Sequence, residues 1–395
     1  MEINHPLRLQ VQNFGPIKQA DVTFGDLTVL VGPQASGKSI LLQLLKLLVD
    51  KGAIHSRLKH YGIDWRGKPD DFLQAYFGEG MESLQKPDLA IKWNGGQVTL
   101  ENLARRGNSS TEETMFFIPA QRVMAFHTTS GWLRGWQDFR DGDPFVVRDF
   151  GAKLHTLAQD EFSQPGVIFP ASRRFKKDIR EQIDDAIFGG FALRLEQKGL
   201  QRRFVLGKEG SAQSLGLTVW SAGQREFVPL LLGAYHILPR TGRGRQEPLR
   251  WAVLEELEMG LHPRGISSVF LLILDLMHRG YRVCLSTHSP HILEMLWALK
   301  IFREKNGTIR DVLDLFRLPS NDETKKLCAA AIAKEKTTGV YYIDRKGEHV
   351  KDITSLDPFD DDEDVNGWGG LSEFSGRANS AVAAIVNRFE LSSAQ

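Results

Sequence analysis

At 395 residues, 42% of them hydrophobic and 25% charged, the chain has the composition of ordinary globular protein, enough for one large domain or two smaller ones. A formal net charge of +1 argues against a polyanion binder working by bulk charge, and two cysteines without C-x-x-C spacing, Cys284 and Cys328, argue against a disulfide scaffold or a zinc site. No run approaches about 18 uninterrupted apolar residues, and Met1 to His5 lack a basic stretch leading into an apolar one, so a cytoplasmic protein is expected, with no membrane partner.

Leu7 to Gln12 alternates as a half-buried strand, Asn13-Phe14-Gly15-Pro16 reads as a turn, and Ala20 to Phe24 alternates again. Leu27 to Val31 is an apolar strand, and Ile40 to Leu45 opens a helix. Between them Gly32-Pro33-Gln34-Ala35-Ser36-Gly37-Lys38-Ser39 spells G-x-x-x-x-G-K-S. In that strand–loop–helix setting the glycines let successive N–H groups wrap phosphates at a helix N-terminus. Lys38 then supplies charge to the outer phosphates and Ser39 a hydroxyl for Mg²⁺. Residues Gly32 to Ile40 are the expected nucleotide-binding set.

Residues 51–215 are less regular and read as an inserted, partly helical region, with a helix-like stretch over Lys176 to Ile183 and short strands at Phe191 to Leu195 and Arg203 to Leu206. Regular alternation returns with a helix from about Gly223 to Ile237, a strand at Trp251 to Leu254, a helix near Gly265 to Met277 and a strand at Arg282 to Ser286. Strands alternating with helices imply an α/β fold around a largely parallel sheet. A strand at Val340 to Ile343, a charged turn at Asp344 to Glu348, an acidic run at Asp360 to Asp364 and a helix around Asn379 to Arg388 end the chain. The expected division is a core in two parts, 1–50 and 216–310, completed by 311–395.

Three further motifs bear on the loop. Trp220-Ser221-Ala222-Gly223-Gln224 precedes an apolar helix, where a hydroxyl, small residues and exposed N–H groups can meet a phosphate. It resembles the L-S-G-G-Q signature of ABC ATPases, with Trp220 and Ala222 as departures. Trp251-Ala252-Val253-Leu254-Glu255-Glu256 is an apolar strand ending in two carboxylates. Neighbouring side chains on a strand point oppositely, so the pair can divide two tasks, Glu255 toward Mg²⁺ and Glu256 polarising the attacking water. The ABC pattern ordinarily has Asp where Glu255 stands. In Ser286-Thr287-His288-Ser289-Pro290, His288 is placed like the switch histidine of that superfamily, able to hydrogen-bond developing charge on the γ-phosphate or orient the water.

With Asn13-Phe14-Gly15-Pro16-Ile17, Ile118-Pro119-Ala120-Gln121-Arg122 and Glu255-Glu256-Leu257-Glu258-Met259-Gly260-Leu261-His262-Pro263, these motifs resemble the ABC-type ATPases related to OLD, RecF and Rad50. Within that group the chain is most similar to stand-alone ATPases of bacterial anti-phage defence, such as the ATPase subunits of PARIS and Septu. The resemblance implies a P-loop NTPase fold, ATP and Mg²⁺ as cofactors, and hydrolysis to ADP and phosphate. It implies a homo-oligomer in which Gly32 to Ser39, Glu255, Glu256 and His288 serve one ATP while Ser221 to Gln224 reach a neighbour's. Gln121 is then the candidate Mg²⁺-sensing glutamine, or else a loop residue satisfied by backbone groups.

OLD-type nucleases add a metal-dependent Toprim domain. The roughly hundred residues after His288 are short for one, and Asp360 to Asp364 read as a solvated acidic loop, so no nuclease is expected within this chain. Two basic clusters, Arg173-Arg174-Phe175-Lys176-Lys177 with Arg180, and Arg240, Arg243, Arg245 with Arg250, could follow nucleic-acid phosphates or be solvated surface. Three functions follow: an ATPase regulating a separate effector protein, a DNA-binding clamp of the repair type, and, weakest, a transporter's nucleotide-binding subunit.

Overall fold

Leu27–Val31 is buried at every position because it is covered on both faces, third of six strands in a central sheet. The order across the sheet is Val350–Asp352, Thr338–Ile343, Leu27–Val31, Arg282–Thr287, Trp251–Glu255, Met115–Ile118. The last five run parallel, with Val29 opposite Leu285 on one side and Val340 on the other; only Val350–Asp352 is antiparallel. This computed structural model describes residues 7–107, 110–171, 174–208, 210–211, 213–239, 244–344 and 349–393.

Strand alternation sends Leu27, Val29 and Val31 into one core and Leu30 into another. The first core holds the inner faces of helices Ala222–Ile237, Pro263–His278 and Pro290–Glu304; the second holds helix Lys38–His60 and an antiparallel sheet. That sheet runs Ile17–Phe24, Leu7–Phe14, Gln85–Trp93, Gly96–Val98, with Val11 opposite both Ala20 and Ile91. A third, antiparallel sheet runs Ser214–Leu215, Gln201–Lys208, Phe191–Lys198, Gly166–Phe169.

The expected boundaries at residues 50 and 215 do not coincide with these layers. From 51–215, Gln85–Trp93 adds to the N-terminal hairpin and Met115–Ile118 forms an edge of the central sheet. The reason is physical: Leu7–Phe14 and Trp251–Glu255 each have a ladder edge to satisfy, and the intervening segment supplies both partners.

The five parallel strands place their C-terminal ends along one edge. After Leu27–Val31 comes the glycine loop, after Met115–Ile118 the Pro119–Arg122 segment, after Trp251–Leu254 the two glutamates, and after Arg282–Ser286 the Thr287-His288 pair. In open α/β sheets this is the edge where ligands bind. Among the described residues no helix is long and apolar enough to cross a membrane.

Candidate functional site

The glycine loop is built by close approaches that exclude side chains. A Cβ on Gly32 would lie 2.2 Å from the Ile343 carbonyl oxygen of the adjacent strand, and one on Gly37, at φ 103°, would lie 3.0 Å from both Pro16 and Ile17. Ala35 takes φ 60°, closing the turn, while Gln34 and Ala35 stand exposed and Pro33 half-buried. The helix begins at Lys38, with Ser39 and Ile40 half-buried in its first turn. That turn has neither a side-chain cap nor an acidic residue, so its N–H groups and the positive end of the helix are left for an anion. Lys38 Nζ folds back onto the carbonyls of Gly32 and Pro33, 2.8 Å from each. Burial lowers its pKa to about 8 against the opposing pull of Glu256, Glu255 and Glu258. Ser36 Oγ is buried without a partner.

Glu255 is 1% exposed. One carboxylate oxygen accepts from the Ala120 N–H at 3.1 Å, and Oε1 is buried with no partner among the described residues. Burial raises its pKa, assisted by Glu256 and resisted by Ser39, Ala120 and Arg122. Glu256 turns out of the strand at φ 46°, its N–H donating to Ser286 O at 2.9 Å. Its Oε1 lies 3.3 Å from His288 Nε2, a close approach without hydrogen-bond alignment. Both side chains are partly exposed, whereas Glu255 is sealed. The loop, both glutamates, Ser39 and His288 are therefore one constellation.

Ser221 caps helix Ala222–Ile237. Its Oγ accepts from the Gln224 N–H at 3.2 Å, and Gln224 Oε1 accepts from the Ser221 N–H at 3.1 Å, a reciprocal box. Ser221 and Ala222 are exposed; Gly223 packs on the glutamate turn so closely that a Cβ there would lie 2.8 Å from Gly260 O. Trp220, one of the departures from the signature pattern, is buried and donates to Leu215 O. Among the described residues no hydrogen bond or ion pair connects Ser221–Gln224 to residues 32–39.

Gln121 stands exposed at the start of the short turn Arg122–Ala125, its carbonyl accepting from Met124 N–H at 2.9 Å. Two neighbours to which the sequence assigned no role have structured ones. Arg122, 0% exposed, donates to the carbonyls of Glu226, Glu255 and Glu256. Glu258 Oε1 accepts from Thr287 Oγ1 and His288 N–H, both at 2.7 Å, fastening the histidine strand to the glutamate turn. Their only sequence signal is a charge inside a motif.

Of the basic clusters, Arg174 is buried and bonded to Glu161 and Tyr235 O, and Lys176 pairs with the fully buried Asp275. Arg245 and Arg250 share Glu247. Arg173, Arg240, Arg243 and residues 345–348 of the charged turn lie outside the described residues. In the acidic run, Lys351 pairs with Asp362 and Asp364, and among the described residues no group of three or more His, Cys, Asp or Glu is arranged to hold a metal ion.

A family model described as "AAA ATPase domain" matches residues 1–102, and one described as "AAA domain, putative AbiEii toxin, Type IV TA system" matches residues 143–294. With the sheet order and the glycine loop, these matches give the chain the α/β architecture of a P-loop fold. Among particular proteins, it is 22% identical over 334 residues to the OLD nuclease of Thermus scotoductus, a match covering 72% of this chain and 58% of that protein, so the chain spans under two thirds of that relative's length. Solved structures that it resembles include an SMC head bound to the C-terminal winged-helix domain of ScpA (14% identity, TM-score 0.39, 73% of this chain and 90% of that one). Others are the SMC head of Thermotoga maritima (16%, 0.33, 73% and 92%) and a dimeric bacterial ABC transporter cassette (11%, 0.34, 87% and 96%).

Proposed function

We propose that this chain is an ATPase that works as a homo-oligomer: two copies close head to tail over ATP and reopen on hydrolysis, and the difference controls a separate effector protein. The observation that carries the reading is the close approach of Glu256 to His288 beside a sealed Glu255, on the sheet edge that carries the glycine loop. The residues fit a magnesium-bound triphosphate. Gly32 and Gly37 leave a cradle that a Cβ would fill, Ser36 Oγ and Glu255 Oε1 are buried with no partner among the described residues, and Lys38 is held by carbonyls that a phosphate can replace.

In this reading residues Gly32 to Ile40 hold the phosphates, and Ser39, Glu255 and Gln121 would hold Mg²⁺, which would supply charge neutralisation at the phosphate oxygens. Glu256 accepts the proton of the attacking water, and His288, close to its carboxylate, donates to the oxygen on which charge develops. Ser221 to Gln224, exposed at Ser221 and Ala222, bring the N-terminus of their helix to the triphosphate of the neighbouring copy. A role in anti-phage defence rests on the likeness of the motifs alone. The DNA-clamp alternative needs a basic surface, and Arg174 and Lys176 are spent inside the core.

Glu256→Gln tests the reading. The amide keeps the shape but cannot take a proton, so turnover is expected to fall by about 100-fold or more while ATP affinity is kept. Unchanged turnover removes Glu256 from the role of base.

A further inference from the structure

Arg122 joins two elements that, among the described residues, are linked by no other side-chain hydrogen bond or ion pair. Its Nε donates to Glu226 O at 2.9 Å, one terminal nitrogen to Glu255 O at 2.9 Å and the other to Glu256 O at 3.0 Å. The Glu226 carboxylate lies 3.4 Å from the same guanidinium. Glu226 is in the first turns of the helix capped by Ser221, whereas Glu255 and Glu256 end a strand of the central sheet. Reaching three carbonyls from one plane needs the rigid fork of a guanidinium; an ammonium is a point.

The carbonyl of Glu256 is the notable acceptor. A residue with a Cβ at φ 46° is held there by its surroundings. Here the holding groups are Ser286 O, which takes the Glu256 N–H, and Arg122, which donates to its carbonyl. Gly223 and Gly260 press together on the same side, so the signature loop, the guanidinium and the glutamate turn form one packed unit.

We propose that Arg122 is a positioning residue: it sets the left-handed turn that aims Glu256 over the phosphate loop and ties that turn to the signature helix. In the head-to-tail assembly proposed above, on which this inference rests, a signature engaged by the neighbour's nucleotide then bears directly on the base of its own chain's site. Arg122 touches no reactant; it acts through Glu256.

The test is Arg122→Lys, which keeps the charge and loses the fork. With the variant folded, as judged by its melting temperature, ATP affinity is expected to stay within about twofold of the wild type and kcat to fall about 100-fold. Combined with Glu256→Gln, it should lower the residual rate no further. A wild-type kcat, or the same 100-fold loss repeated on top of Glu256→Gln, overturns the role. Should Arg122→Lys not fold, Glu226→Gln decides, since it leaves all three carbonyls in place: a several-fold loss of kcat at unchanged affinity supports the role, and an unchanged kcat overturns it. If Glu256→Gln turns over ATP like the wild type, the reading of the site has failed and this inference with it. If Glu256→Gln is inactive and Arg122→Lys is not impaired, the positioning role alone has failed.

Discussion

Lys38 is a buried cation whose hydrogen-bond acceptors are neutral carbonyls. Its pKa falls to about 8 in the fold while an unfolded lysine keeps its usual value near about 10.4. Between these two pH values the unfolded chain binds more protons, so stability contributed at this position is least below pH 8 and recovers as pH rises toward the unfolded value. The melting temperature of the wild type is therefore expected to gain on that of Lys38→Ala by a few degrees between pH 7 and pH 10; a gap independent of pH would refute the assignment. Lys38 with Ser39, and Glu255 with Glu256, stand out as candidates in the sequence because each pair belongs to a motif of local spacing. Arg122 and Glu258 were not, although both lie within motifs that were read: the carbonyl at Glu226 is 104 positions from Arg122, and the His288 N–H is 30 from Glu258. A one-dimensional pattern does not join such partners.

Elements were read in proportion to their burial. The strands at 27–31, 251–255 and 282–287 are buried at every position but Arg282, and their expected ends lie within one residue of the observed ones. Gln85–Trp93 escaped notice because Gln85 to Asp88 are exposed and Pro87 interrupts the pattern; only Ile91 is buried. The helix expected around Asn379 to Arg388 runs over Glu373–Ser393, with Phe374, Val382 and Ile385 exposed, so no buried stripe marks its start. The contact between signature and glutamate turn makes an element-level prediction. Gly223→Ala would drive a Cβ to 2.8 Å from Gly260 O, a backbone atom that cannot swing aside. A destabilisation of about 1–3 kcal/mol is expected in chemical denaturation, more than the about 1 kcal/mol lost with the cap in Ser221→Ala. An alanine variant as stable as the wild type would mean that the two turns are not packed as described.

For the whole molecule, the parallel sheet separates two cores and gathers the glycine loop, both glutamates and His288 along one edge. The signature shares that edge's packing through Gly260 and Arg122, yet within the described residues no bond joins it to the loop. The fold class was legible from strands alternating with helices; the layering of 51–215 was not, because strand partners are chosen by open edges rather than by sequence order. The account's central claim, that two copies complete each nucleotide site, is tested most directly by the mass of Glu256→Gln in solution, measured by light scattering with Mg²⁺ and ATP. The account predicts at least a doubling over the nucleotide-free mass, absent with ADP and abolished by adding Ser221→Arg. ATP bound at saturation to a particle whose mass stays that of one chain would contradict it.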